Sequence, residues 1–180
     1  DLLVIHQPFN DYYGTWRAIE EAYKIGYLLA IGVINFYPDR LVELCRFVEV
    51  TPAVNQVETH VFQQQKKAHE YMEKYEMQHE SWGPFAEGRK DFFTNPTLTE
   101  IGAKYGKSAA QTALRFLIQS NVVVIPKSTH KERMEQNFDV FDFTLSGEDI
   151  AKIQALDEGE SLFFSHYDPA TVEMITGLHR

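Results

Sequence analysis

Leu2-Leu3-Val4-Ile5 is a continuous apolar run with aliphatic side chains on both faces, the pattern of a parallel strand buried from two sides. Between Trp16 and Ile25 the apolar positions Trp16, Ile19, Ala22 and Tyr23 recur at helical spacing, with Lys24 in the last turn and Gly26 as the stop. The cycle then repeats. Leu28 to Ile34 predicts a strand, and Pro38 opens a helix whose buried stripe is Leu41, Leu44, Cys45 and Val48. A third strand is predicted from Ala53 to Glu58, a polar helix from about Gln64 to Tyr75, and a weaker fourth strand from Met77 to Trp82. Asn95 and Pro96 read as the cap and first residue of a helix, and Ala110, Ala113, Leu114, Leu117 and Ile118 form a further helical stripe. Val122-Val123-Val124-Ile125 is the fifth strand, leading to a helix through Arg133, Met134 and Phe138. Ser146, with Asp149 three residues on, signals a last helix carrying Ile150, Ile153 and Leu156. Glu158 to Arg180 reads as an aromatic, irregular tail.

Strands alternating with helices predict an α/β fold with a parallel sheet, either doubly wound or a (β/α) barrel. His6-Gln7-Pro8, Asn35, Gln56 with Glu58, Trp82 and Lys127-Ser128 all fall at the C-terminal ends of strands, where parallel α/β folds gather their chemistry. A doubly wound nucleotide fold would carry Gly-x-Gly-x-x-Gly after its first strand, and no Gly-x-Gly occurs here. A barrel is the better reading. A complete (β/α)8 barrel takes about 250 residues, so residues 1–157 are expected to form a partial barrel and residues 158–180 a tail over its mouth.

Composition narrows the class. The 180 residues carry 17 Lys and Arg against 26 Asp and Glu, a net charge of −9, with no basic stripe to displace counterions from a phosphate backbone. Nucleic acid is excluded as a partner. No apolar run is long enough for a membrane helix, and the single cysteine, Cys45, argues for a reducing, cytoplasmic setting without disulfides.

Lys127 and Ser128 fall at a predicted helix start, whose N–H groups suit a phosphate, and Arg133 would add a planar fork; a solvated helix start explains them equally well. Asn35 and Gln56 offer donor and acceptor together, as a carboxamide requires, and Trp82 offers a flat face for a ring. His6 suits a hydrogen bond to a substrate oxygen or acid–base work, or a plain structural role. The other histidines, at 60, 69, 79, 130, 166 and 179, lack metal-ligand spacing, so no metal site is expected. Gly106-Lys107-Ser108 mimics the end of a phosphate loop, but Ile101 stands where that loop needs glycine. Trp16, Tyr23 and the cluster of Phe138, Phe141 and Phe143 are expected as core or packing residues.

His6-Gln7-Pro8, Gly32-Val33-Ile34-Asn35-Phe36, Asn55-Gln56-Val57-Glu58, Trp82-Gly83-Pro84 and Ile125-Pro126-Lys127-Ser128, in this order, resemble an aldo-keto reductase, most nearly the bacterial diketogluconate-reductase-like branch. The resemblance spans the whole chain but only the C-terminal two-thirds of the family's (β/α)8 barrel, its fourth to eighth strand-helix units. It implies reduction of an aldehyde, ketone or keto-sugar carbonyl with NADP. His6 corresponds to the histidine that orients the substrate carbonyl, Asn35 and Gln56 to the residues holding the nicotinamide carboxamide, and Trp82 to the aromatic stacked on the nicotinamide ring. Lys127, Ser128 and Arg133 correspond to the cluster gripping the 2′-phosphate, and Asn137 to an adenine contact. Ile34 stands where the family has serine and Gln136 where it has glutamate.

The family's proton-donating tyrosine and its lysine and aspartate partners lie in its first three units, outside the resemblance. The 180 residues alone are therefore expected to be inactive, since general acid catalysis contributes about 10² to 10⁴ in rate. Tyr12 and Tyr13, on a predicted loop near His6, have no lysine nearby in sequence to replace that donor. The intact enzyme is expected to be a monomer and the partial barrel to dimerise or aggregate. The alternative is a naturally short half-barrel that binds NADP or a partner chain without catalysis, because an open sheet leaves two unpaired edges.

Overall fold

The computed structural model describes residues 1–178; His179 and Arg180, the end of the predicted tail, lie outside the described residues. Its strands are β1 (Leu2–Ile5), β2 (Ala30–Ile34), β3 (Val54–Glu58), β4 (Gln78–Trp82) and β5 (Val122–Val124), in that order in one sheet. β1 pairs parallel with β2, and β2 with β3, setting Leu3 beside Ile31 and Ile34 beside Gln56. The helices are α1 (Tyr12–Lys24), α2 (Pro38–Phe47), α3 (Lys66–Lys74), α4 (Pro96–Tyr105), α5 (Ala109–Gln119), α6 (Lys131–Phe138), α7 (Gly147–Gln154) and α8 (Pro169–Gly177). No described helix is long and apolar enough to cross a membrane.

Local chemistry sets the helix ends. Asp11 accepts the Gly14 N–H at 2.8 Å, so α1 begins four residues before Trp16 and takes in Tyr12 and Tyr13, which the sequence pattern placed on a loop. Asn95 accepts the Leu98 N–H at 3.2 Å ahead of Pro96, and Ser146 that of Asp149 at 3.1 Å. Ser108 and Gln111 form a reciprocal capping box at the start of α5. Gly32 is required by close strand approach, because a Cβ there would lie 2.7 Å from the Val54 carbonyl oxygen.

The chain forms two compact units. The first comprises residues 1–57, 66–79 and 163–178 of the described chain, with a core of Trp16, Ile31, Val33, Phe36, Leu41, Leu44 and Met72, all buried. The second comprises residues 58–65 and 80–162, with a core around Phe62, Phe92, Leu98, Ile101, Phe116, Leu117 and Ile153. Burial of each such side chain contributes about 1.5–3 kcal/mol, and this drives the helices onto the strands. Leu2 and Leu3 on β1 and Val123 on β5, at opposite ends of the strand order, remain exposed.

Two expectations are corrected. The tail is not wholly irregular: Asp168 accepts the Ala170 N–H at 3.1 Å and Pro169 starts α8, which buries only Thr171 and so shows no apolar stripe. Phe138 and Phe141, expected as core or packing residues, are 79% and 65% exposed and pack edge-on against each other at 6.1 Å between centroids, Phe138 at the end of α6, which buries none of its residues, and Phe141 on the segment after it; Tyr23 is likewise exposed at the end of α1.

Candidate active site

In the first unit, His6 follows β1 directly and is exposed. Asn35 follows β2 in the left-handed region, φ +60°, which asparagine tolerates better than most residues. Its backbone N–H donates to the Gln56 carbonyl at 2.9 Å, and the register of the two strands sets Gln56 beside Ile34. Asn35 is buried, and its Nδ2 donates to Gln7 Oε1 at 3.5 Å. His166, in the tail, lies 2.8 Å from the same oxygen through Nε2 and 3.4 Å from the Tyr37 hydroxyl through Nδ1. Gln7 presents its oxygen to a donor on Asn35, so His166 Nε2 donates and Nδ1 accepts from Tyr37. Asn55 anchors the turn from beneath, donating to the Phe36 carbonyl at 2.7 Å. A cavity of about 450 Å³ opens beside this group, lined by Pro8, Phe9, Asn35, Tyr37, His166 and Tyr167 among others.

The second unit carries the cationic candidates. Lys127, Ser128, Arg133 and Asn137 line one cavity of about 520 Å³, together with Phe85 and Phe93. α6 begins at Lys131, with His130 as its cap. Lys127 and Ser128 therefore precede the helix end, and only Arg133 lies in its first turn. Ser128 Oγ accepts the His130 N–H at 3.1 Å and so shapes the turn itself. Lys127 and Arg133 are exposed and enter no ion pair among the described residues. Gln136 also lines the cavity. Trp82 ends β4, and Gly83 follows with φ +65°.

The remaining titratable groups are structural. Tyr12 donates to Glu43 Oε2 at 3.0 Å, and burial followed by that hydrogen bond raises its pKa. Burial pushes Tyr13 up to about 12. Both shifts run opposite to what a proton donor needs. Burial also raises Cys45 to about 11, leaving the thiol protonated and unreactive. Lys107 of the phosphate-loop mimic is held by Asp139 and Asp142, at 2.8 and 2.7 Å. In the second unit, His60 Nδ1 accepts the N–H groups of Phe62 and Gln63, so its Nε2 donates to Glu58 at 3.0 Å. Glu58 also accepts from Ser161 Oγ and from the Leu162 N–H, which fastens the start of the tail. Among the described residues no cluster of three or more His, Cys, Asp or Glu is arranged to hold a metal ion.

The Aldo/keto reductase family model matches residues 1–158. This chain belongs to the aldo-keto reductase family. It is 45% identical over 161 residues to the glyoxal reductase of Bacillus subtilis, a match covering 89% of this chain and 58% of that protein. The crystal structure of MGS-M4, an aldo-keto reductase from a Medee basin deep-sea metagenome library, superposes with a TM-score of 0.89 at 41% identity, covering 93% of this chain and 63% of that one. The silkworm aldo-keto reductase complexed with NADPH superposes with a TM-score of 0.83 at 33% identity, over 89% and 55% of the two chains. The chain thus spans about 60% of the length of aldo-keto reductase relatives and is a partial (β/α)8 barrel beside them.

Gln7 and His166 had no assigned role in the sequence reading. They lie 159 positions apart, and no local pattern links them. Phe85, Phe93 and Ser108 likewise enter the cationic cavity only through the fold.

Proposed function

We propose that this chain carries the cofactor-binding portion of an NADP-dependent carbonyl reductase acting on an aldehyde, ketone or keto-sugar. The observation that carries the reading is the 520 Å³ cavity on which Lys127, Ser128, Arg133 and Asn137 converge. A chain of net charge −9 concentrates there two cations that enter no ion pair among the described residues, the donor set for a phosphate monoester. Its size falls within the ordinary range of ligand sites, and the Phe85 and Phe93 rings offer apolar faces to a purine. Asn35 and Gln56 together suit a carboxamide, and Trp82 suits a flat ring. NADPH, when bound, supplies the hydride. His6 donates a hydrogen bond that orients the substrate carbonyl, and Trp82 shields one ring face.

Ile34 lacks the hydroxyl that the family places there, so the two amides carry the carboxamide. The tyrosine, lysine and aspartate that deliver the proton in the family belong to units outside residues 1–158, so the 180 residues bind cofactor without turnover. The glyoxal reductase relative makes small dicarbonyls the first substrates to test.

NADPH fluorescence titration and glyoxal reduction, run on the 180-residue chain and on the product of the natural gene after an intact-mass measurement, test this. The expected result is binding by both, turnover only by the natural product, and a natural mass well above that of the 180 residues. Absence of NADPH binding by the natural product overturns the reading. A natural product of 180 residues that elutes as a dimer and binds NADPH without turnover favours the short half-barrel.

A further inference from the structure

We propose that the 450 Å³ cavity walled by the start of α2 and by α8 is a substrate subsite that takes the hydroxylated chain of a carbonyl compound longer than glyoxal, a role that rests on the carbonyl-reductase reading with His6 at the reacting end. Pro8 and Phe9 follow His6 within three positions and line the cavity, as does Asn35. The cavity therefore opens beside the residues assigned to the substrate carbonyl and to the cofactor's head. Its other walls are Asp39 and Arg40, in the first turn of α2, and the tail, where Pro169, Val172 and Glu173 share one face of α8 by their spacing of three and four residues.

Size points past a two-carbon substrate. At the roughly 30 Å³ that a water takes in the liquid, the cavity has room for about fifteen non-hydrogen atoms. Glyoxal has four, and D-glucosone, a six-carbon hydroxylated dicarbonyl, has twelve. The polar groups then select among the larger compounds. Asp39 and Glu173 accept hydrogen bonds, and the Arg40 guanidinium donates them. Asp39 already accepts the Tyr167 hydroxyl at 3.1 Å, Arg40 Nη1 lies 3.4 Å from Glu43, and the Glu173 carboxylate enters no ion pair among the described residues. An anion in the cavity would meet two carboxylates, and a cation would meet Arg40. A hydroxyl both donates and accepts, so a neutral hydroxylated chain satisfies all three groups. The Phe9 and Tyr167 rings offer apolar surface to its C–H groups.

The test compares reduction of glyoxal and of D-glucosone by the natural gene product. Each offers an aldehyde beside a second carbonyl, and they differ in the hydroxylated chain. Both react as RCHO + NADPH + H⁺ → RCH2OH + NADP⁺, so NADPH absorbance follows either one. Glu173→Leu should lower kcat/KM for D-glucosone about tenfold while leaving that for glyoxal within about twofold. Glu173→Gln, which keeps an acceptor, should return D-glucosone to within about threefold of the parent protein. Arg40→Leu carries the Glu173→Leu expectation and stands in for it if that variant fails to fold by circular dichroism. Equal losses for both compounds, no loss of D-glucosone reduction, or a parent protein that reduces glyoxal alone overturn the subsite and leave carbonyl reduction intact. A parent protein that reduces neither compound overturns the carbonyl-reductase reading and the subsite together.

Discussion

Asn35 stands among polar side chains that hold one another, with Gln7, His166 and Tyr37 all engaged. Lys127 and Arg133 stand on an exposed turn and on a helix that buries none of its residues. The contrast follows from what each group is suited to bind. A neutral amide is recognised by direction, and direction in a buried site requires neighbours that forbid the alternative orientation. A phosphate is recognised by charge, which acts from several orientations and needs little support. Substitutions in the networked regions should therefore cost stability, and those on the cationic turn should cost affinity alone.

The largest effect is expected at Glu58, which the second unit uses in the same networked way. Glu58→Ala removes the acceptor of the His60 Nε2–H, which is buried, and of the half-buried Ser161 hydroxyl and Leu162 N–H. Denaturant unfolding should show a loss of about 3 kcal/mol; a loss below about 1 kcal/mol would show that water satisfies these groups.

His79 gives the next effect. Its Nδ1 lies 2.9 Å from His69 Nδ1, and burial, reinforced by His69, lowers its pKa to about 3. The unfolded chain takes up this proton near the ordinary histidine value of about 6.5 and the folded one does not. Stability is thus full above about pH 6.5 and falls below it, by about 1.4 kcal/mol per pH unit at most between pH 6 and 4. His79→Gln should flatten that slope between pH 6 and 4, and an unchanged slope would assign it to other groups.

Arg133→Ala sharpens the other side of the contrast. It should weaken NADPH binding by about 2 kcal/mol, roughly thirtyfold, with unfolding free energy changed by less than about 0.5 kcal/mol. A stability loss comparable to that of Glu58→Ala would erase the distinction between the two kinds of region.

The strands were legible because Leu2-Leu3-Val4-Ile5 and Val122-Val123-Val124 are short apolar runs, although Leu2, Leu3 and Val123 stay exposed where burial from both sides was expected, and helix starts were legible where Asn95-Pro96 and Ser146 supply their own caps. α8 was missed although Asp168-Pro169 is a cap signal, because its buried face reduces to Thr171 and periodicity had nothing to register. Of the two roles expected for Phe138 and Phe141, core or packing, only packing on each other is met, because α6 and the segment after it leave both rings exposed. In the candidate site, strand-end position and motif order singled out Asn35, Gln56, Lys127 and Arg133 one by one. The side chains next to Asn35, Gln7 and through it His166, are joined by tertiary contacts that leave no periodic trace.

The central claim is that Lys127, Ser128 and Arg133 read a ribose 2′-phosphate. Calorimetric titration of the natural protein with 2′,5′-ADP and with 5′-ADP, at one salt concentration, tests it without requiring turnover. Binding of 2′,5′-ADP should be at least tenfold tighter, a preference that shrinks as salt is raised. Equal affinity for the two nucleotides would contradict it.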